Sequence, residues 1–165
     1  MNYQQLLEMQ EQLDQHIMKK RNLQFIKLQS LALALSTEIS EVANAFQRWK
    51  YWKTNNEPKS ELLEEVADAL HFLLSISYRF KIDGETISKL SGFECKTVEE
   101  QFLFIQHTIS QTANYGNADD KRKYIHVTWI LFKGLLNQLG FTETDIYKAY
   151  LKKNQKNYER QANNY

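Results

Sequence analysis

The chain of 165 residues has little of what usually breaks or staples a fold: one cysteine, one proline and five glycines. Cys95 alone can form neither an internal disulfide nor a multi-cysteine metal site, a usage that fits a reducing compartment. With Pro58 as the only proline and apolar residues spaced mostly by three and four, there are no strand pairs to propose, and the chain reads as all-α. Neither sign of charge is in excess: 21 Lys and Arg face 20 Asp and Glu. That balance argues against nucleic acid or an anionic membrane as the main partner, so any charge-driven function must be local. The opening MNYQQLLEMQEQ lacks the basic-then-apolar layout of a signal peptide, and no uncharged apolar run approaches a membrane span. The expectation is a soluble, cytoplasmic protein with one domain over residues 1–165.

Spacing and punctuation predict the helices. The first covers Tyr3 to about Lys20, and a second runs from about Asn22 to Trp52. A third starts in the turn at Pro58 and continues to about Phe80. A short helix ends at Leu90, and the capping-box pattern Thr97-Val-Glu-Glu100 opens one that reaches about Asn114. Two more span about 119–139 and 144–161, with Gly140 suited to a helix C-terminus and Thr142 to an N-cap. The stretch of about 82–118 is expected to form a small helical lobe beside a four-helix core.

Within these helices the acidic residues are out of place. In TEISEVANAF, Glu38 and Glu41 lie three apart on one helix face, downstream of the apolar run LALALS. In ELLEEVADALHF, Glu65 and Asp68 repeat the spacing amid Leu62, Leu63, Val66 and Leu70, with Glu61 and Glu64 on adjoining faces. A single such pair is most often a solvated helix face. Two pairs on helices joined by a short turn can face each other, and four carboxylates held together in apolar surroundings call for bound cations or shared protons. An all-oxygen ligand set suits Mg²⁺, or Mn²⁺, both of which also bind phosphate oxygens. Farther on, in YLKKNQKNYERQ, Lys153, Asn157 and Arg160 form one helical stripe of donors suited to phosphate.

Together, E-x-x-E in TEISEVANAF, E-x-x-D in EEVADALHF, W-K-x-W-K in RWKYWK and K-N-x-x-N-x-x-R-Q in KNQKNYERQ resemble the dimeric, all-α dUTPases. That group belongs to the all-α NTP pyrophosphatase superfamily with the MazG-like enzymes. The paired acidic motifs are shared across the superfamily, whereas the C-terminal motif and Asp68-x-x-His71-Phe72 are narrower. LGFTETDIYKAYLKKN is similar to the form in members from Gram-positive bacteria and their phages, and the region 90–118 is shorter than in the longer members.

The resemblance implies a four-helix-bundle core with additional helices and a homodimer. It also implies metal-dependent hydrolysis of dUTP, with dUDP as a second candidate substrate. Glu38, Glu41, Glu65 and Asp68 would hold the metal, with Glu38 as the base that takes a proton from water. Lys153, Asn157 and Arg160 would hold phosphates. Gln10 and Asp14 resemble the positions at the uracil edge, although other members have Asn where this chain has Asp14. Trp49, Lys50 and Trp52 would lie beside the nucleotide, and His71 near the sugar. The residues leave three alternatives: a pyrophosphatase for another nucleotide such as dCTP, a four-helix carboxylate protein for iron suggested by Asp68-x-x-His71, and a non-enzymatic helical adaptor. The apolar content of LALALS and HFLLSIS exceeds what one bundle core needs, which supports a second copy as partner.

Overall fold

A computed structural model describes residues 1–163. Seven helices follow in order: α1 Tyr3–Lys20, α2 Leu28–Phe46, α3 Leu62–Arg79, α4 Gly84–Lys89, α5 Val98–Asn114, α6 Ala118–Leu139 and α7 Glu143–Ala162. Among the described residues there is no strand. The caps read from sequence are formed: Thr97 and Thr142 each accept from the backbone three residues on, in reciprocal capping boxes, and Gly140 ends α6 in the left-handed region at φ 78°.

α2 is shorter at both ends than the spacing suggests. α1 ends in a Schellman arrangement in which Leu23 N–H donates to Met18 O and Asn22 adopts φ 52°. The chain then stays irregular until Lys27, with the Arg79 guanidinium donating to Ile26 O. At its far end α2 stops at Gln47, whose φ of 60° turns the backbone. The buried Gln47 amide fixes that turn by donating to Glu57 O at 2.8 Å. α3 begins at Leu62 and not at Pro58, and Lys59 N–H donates to Ala45 O at 2.9 Å, tying the connection to the end of α2.

α2 and α3 run antiparallel, since Ala45 meets Lys59 at one end while Glu38 meets Glu65 and Asp68 farther along. Ile39 and Val42 of α2, with Val66, Leu70 and Leu74 of α3, have no exposed surface and form the seam between them. α1 and α7 close over the other side of α3, where Leu6 and Tyr150 are fully buried. α5 packs on α2 and α6, and its Phe102, Ile105 and Ile109 join the same hydrophobic core, as does Ile87 of α4. Deep in that core, Trp129 Nε1 donates to Ser77 Oγ at 2.8 Å, satisfying a buried indole. α4 reaches α1 because Gly84 has no side chain; a Cβ there would sit 2.2 Å from Gln4 N. No helix among the described residues is long and apolar enough to cross a membrane.

Candidate active site

α1, α2, α3 and α7 enclose a cavity of about 580 Å³. Its acidic wall follows from the α2–α3 seam. With Ile39, Val42, Val66 and Leu70 turned into the core, the residues next to them around each helix, Glu38, Glu65 and Asp68, face the space between the helices. One oxygen from each of these three carboxylates lies within 4.8 Å of the other two. Glu41 lines the same cavity but is exposed, at the rim outside that close group. Thus three of the four expected ligands converge, and the fourth stands beside them.

The electrostatics of the wall are those of a site short of positive charge. Burial, then the neighbouring charges of Asp68, Glu41 and Glu65, push the Glu38 carboxyl up to about 7. Burial likewise raises Glu65 and Asp68, and the nearby carboxylates add to it. The nearest compensation is Lys153 of α7, itself buried, whose Nζ lies 2.5 Å from Asp68 Oδ2 and 2.9 Å from Glu64 Oε1. Carboxylate oxygens a few ångströms apart fit around one hard divalent cation, whose oxygen ligands sit at roughly 2.0–2.6 Å. The donor set therefore suits a hard divalent cation.

Asn157 and Arg160 also line the cavity, so the stripe expected on α7 does face the acidic wall. The Arg160 charge acts on Asp68. Lys153 lines the cavity as well, with its ammonium paired to the Asp68 and Glu64 carboxylates.

The opposite end of the cavity is a buried polar network with an apolar side formed by Leu13, Ile17 and Phe72. Gln10, Asp14 and His71, at 3%, 5% and 4% exposure, are brought together here as the sequence suggests. Gln10 Nε2 donates to Asp14 Oδ1 at 2.9 Å, which leaves Gln10 Oε1 facing the Tyr150 hydroxyl at 3.1 Å and His71 Nδ1 at 2.6 Å. An amide oxygen only accepts, so His71 Nδ1 carries the hydrogen and Nε2 presents a lone pair. Burial, then the Lys153 charge, holds the His71 imidazole down to about 3, so the ring is neutral. Its Nε2 has no hydrogen-bond partner among the described residues. The ring stacks on Tyr150 at 4.2 Å. Burial raises Asp14, while hydrogen bonds from Ser75, Gln10 and Tyr78 favour its ionised form.

His71 is absent from the close carboxylate group: neither ring nitrogen joins the set of oxygens lying within 4.8 Å of one another. The carboxylate-x-x-His pattern is therefore not assembled as a shared ligand set among the described residues. Trp49, Lys50 and Trp52 do not line the cavity either. They lie in the turns after α2, where Trp49 Nε1 donates to Ala43 O at 2.7 Å, Trp49 and Trp52 meet edge to face at 5.4 Å, and Lys50 stands over the Trp49 ring. Trp52 is 60% exposed. α2 ends before this segment, at Gln47, so the segment does not continue the helix that carries Glu38 and Glu41.

Four contributors were not singled out by their sequence pattern. Tyr150 supports Gln10 and His71, and Tyr78 donates to Asp14 Oδ2 at 3.2 Å. Glu64 and Lys156 pair at 2.8 Å beside Lys153. Helical spacing held the signal for both tyrosines: Tyr78 is seven residues after His71 and Tyr150 three before Lys153, each on the same face. A family model described as dUTPase matches residues 2–165 of the chain. A search of curated proteins finds no match.

Proposed function

The chain belongs to the dUTPase family, and from that premise we propose that this cavity hydrolyses dUTP to dUMP and diphosphate by attack of water on the α-phosphorus. Glu38, Glu65 and Asp68, with Glu41 at the rim, would hold a divalent cation, Mg²⁺ or Mn²⁺. When bound, that cation supplies Lewis acidity toward water and the phosphate oxygens. The observation that carries the reading is the meeting, in one cavity, of three close carboxylates, a stripe of cationic and amide donors, and a buried polar end formed by Gln10, Asp14 and His71.

The chain's own groups divide the work. Glu38, on the carboxylate wall beside the cation site, takes the proton of the attacking water. Lys153 and Arg160 meet the negative charge that grows on the departing diphosphate, and Asn157 donates to a phosphate oxygen. At the closed end, Asp14 accepts from the N3–H of uracil, a donor that a carboxylate suits. His71 Nε2, already fixed as an acceptor, receives a sugar hydroxyl hydrogen. dUDP presents the same α-phosphorus and is a second substrate of this reading. The resulting activity would limit uracil entry into DNA.

A panel of dNTPs with Mg²⁺, each assayed with and without chelator, tests this reading. dUTP should be turned over well ahead of dCTP, whose N3 is an acceptor, and chelator should stop the reaction. Equal turnover of dCTP would sink the assignment of Asp14 to uracil, and chelator-resistant turnover would sink the metal.

We also propose a second copy of the chain as partner. Leu33 of α2, Leu103 and Phe104 of α5 and Val127 of α6 are large apolar side chains 41–70% exposed on helices that pack side by side. Light scattering should give twice the 19.6 kDa chain mass; a monomer at micromolar concentration would count against it.

A further inference from the structure

Glu64 immediately precedes Glu65 on α3, yet it belongs to a different set of contacts. A single oxygen, Oε1, accepts from Lys153 Nζ at 2.9 Å and from Lys156 Nζ at 2.8 Å. Glu64 lines the carboxylate cavity and also a second groove of about 360 Å³ beside the first turn of α3, walled by Leu63, Lys148, Lys152 and Lys156. It therefore stands where the two spaces meet. A carboxylate at this point repels a polyanion unless its charge is used to hold cations, and here one negative charge gathers two positive ones.

The order along α3 gives this gathering a direction. Asp68 lies four residues beyond Glu64, about 6 Å along the axis, and His71 lies farther the same way. From the closed end, the sequence of groups is Gln10 with His71, then Asp68 with Lys153, then Glu64 with Lys153 and Lys156. A nucleotide with its base at the closed end and its α-phosphorus at the carboxylates extends its remaining phosphates toward Glu64.

We propose that Glu64 is a positioning residue that holds Lys153 and Lys156 as an ammonium pair, and that this pair binds the terminal diphosphate of the substrate and of the leaving group. The proposal rests on the dUTP reading for its orientation. Lys156 becomes a phosphate contact, while Glu64 acts through the lysines and touches no phosphate. The sign of its effect sets it apart from a bystander: a bystander acid repels diphosphate, whereas a positioning acid is needed for its binding.

Binding of inorganic diphosphate in the presence of Mg²⁺, measured by calorimetry without turnover, reads this sign. Glu64→Gln and Lys156→Ala should each weaken binding about tenfold, and the double variant should be little worse than either single one, because both remove the same arrangement. In dUTP hydrolysis the same variants should raise KM more than they lower kcat. Both side chains are more than 40% exposed, so the fold is expected to tolerate these changes, and a thermal melt verifies it. Unchanged or tighter diphosphate binding by Glu64→Gln overturns the proposal, as does strict additivity in the double variant. Loss in Glu64→Gln with none in Lys156→Ala also overturns it, by placing Glu64 among the metal ligands. A parent protein that shows the binding pattern but fails to hydrolyse dUTP overturns the proposed substrate and leaves the ammonium pair supported.

Discussion

Replacement of Glu65 by Gln should reduce dUTP hydrolysis by about a hundredfold or more while the helical fold survives. The substitution keeps the shape of the side chain and removes one of the three anionic oxygens that lie within 4.8 Å of one another. A cation held there is worth several kcal/mol to a reaction at phosphorus, and each 1.36 kcal/mol is a factor of ten in rate, so losing a ligand costs at least two such factors. Without metal the same change relieves repulsion, since Glu65 is itself raised by burial and by Glu41 and Asp68. The metal-free variant should therefore melt at or above the parent's temperature, which separates lost chemistry from lost structure. Near-parental turnover with Mg²⁺ would contradict the assignment of Glu65 to the metal.

Arg160→Ala is expected to lower kcat/KM for dUTP by about ten- to a hundredfold, the equivalent of losing hydrogen bonds to a charged group worth roughly 1.5–3 kcal/mol. Arg160 lines the cavity near the end of α7, and its charge already acts on Asp68. A solvated surface arginine would behave differently, because exposed charges contribute only about 0–1 kcal/mol. Steady-state kinetics distinguish the two: a change within about twofold assigns Arg160 to the surface, and a drop of tenfold or more assigns it to the phosphates.

Local rules made much of this legible beforehand. Pairs of acids at i and i+3 within apolar helices are a contradiction that sequence alone exposes, and the α2–α3 seam resolves it by turning Glu38, Glu65 and Asp68 into one space. Capping boxes at Thr97 and Thr142 are equally local and formed as expected. What depended on tertiary bonds was harder to read. Nothing in the spacing shows that Gln47 stops α2 through a buried amide bond to Glu57, and without that stop RWKYWK reads as a helical continuation of the acidic face. The same applies to Glu64 and Lys156, whose partners are more than 80 residues away in sequence. Tyr78 and Tyr150 were within reach, since helical spacing alone puts them on the faces that carry His71 and Lys153.

The closed end of the cavity links these elements into one chemical statement. Once Gln10 donates to Asp14, its oxygen must accept, His71 Nδ1 must donate, and Nε2 remains as a buried acceptor with no donor among the described residues. His71 lines the cavity, where a ligand hydroxyl or a water can donate to this atom.

The most direct measurement is a crystal structure of the protein with Mg²⁺ and a dUTP analogue whose α,β-bridging oxygen is replaced by an imido group. The account predicts a cation among Glu38, Glu65 and Asp68, the uracil edge at Asp14, and phosphate oxygens against Lys153 and Arg160. Nucleotide bound outside this cavity, or a cation absent from these three carboxylates in a nucleotide-bound protein, would contradict it.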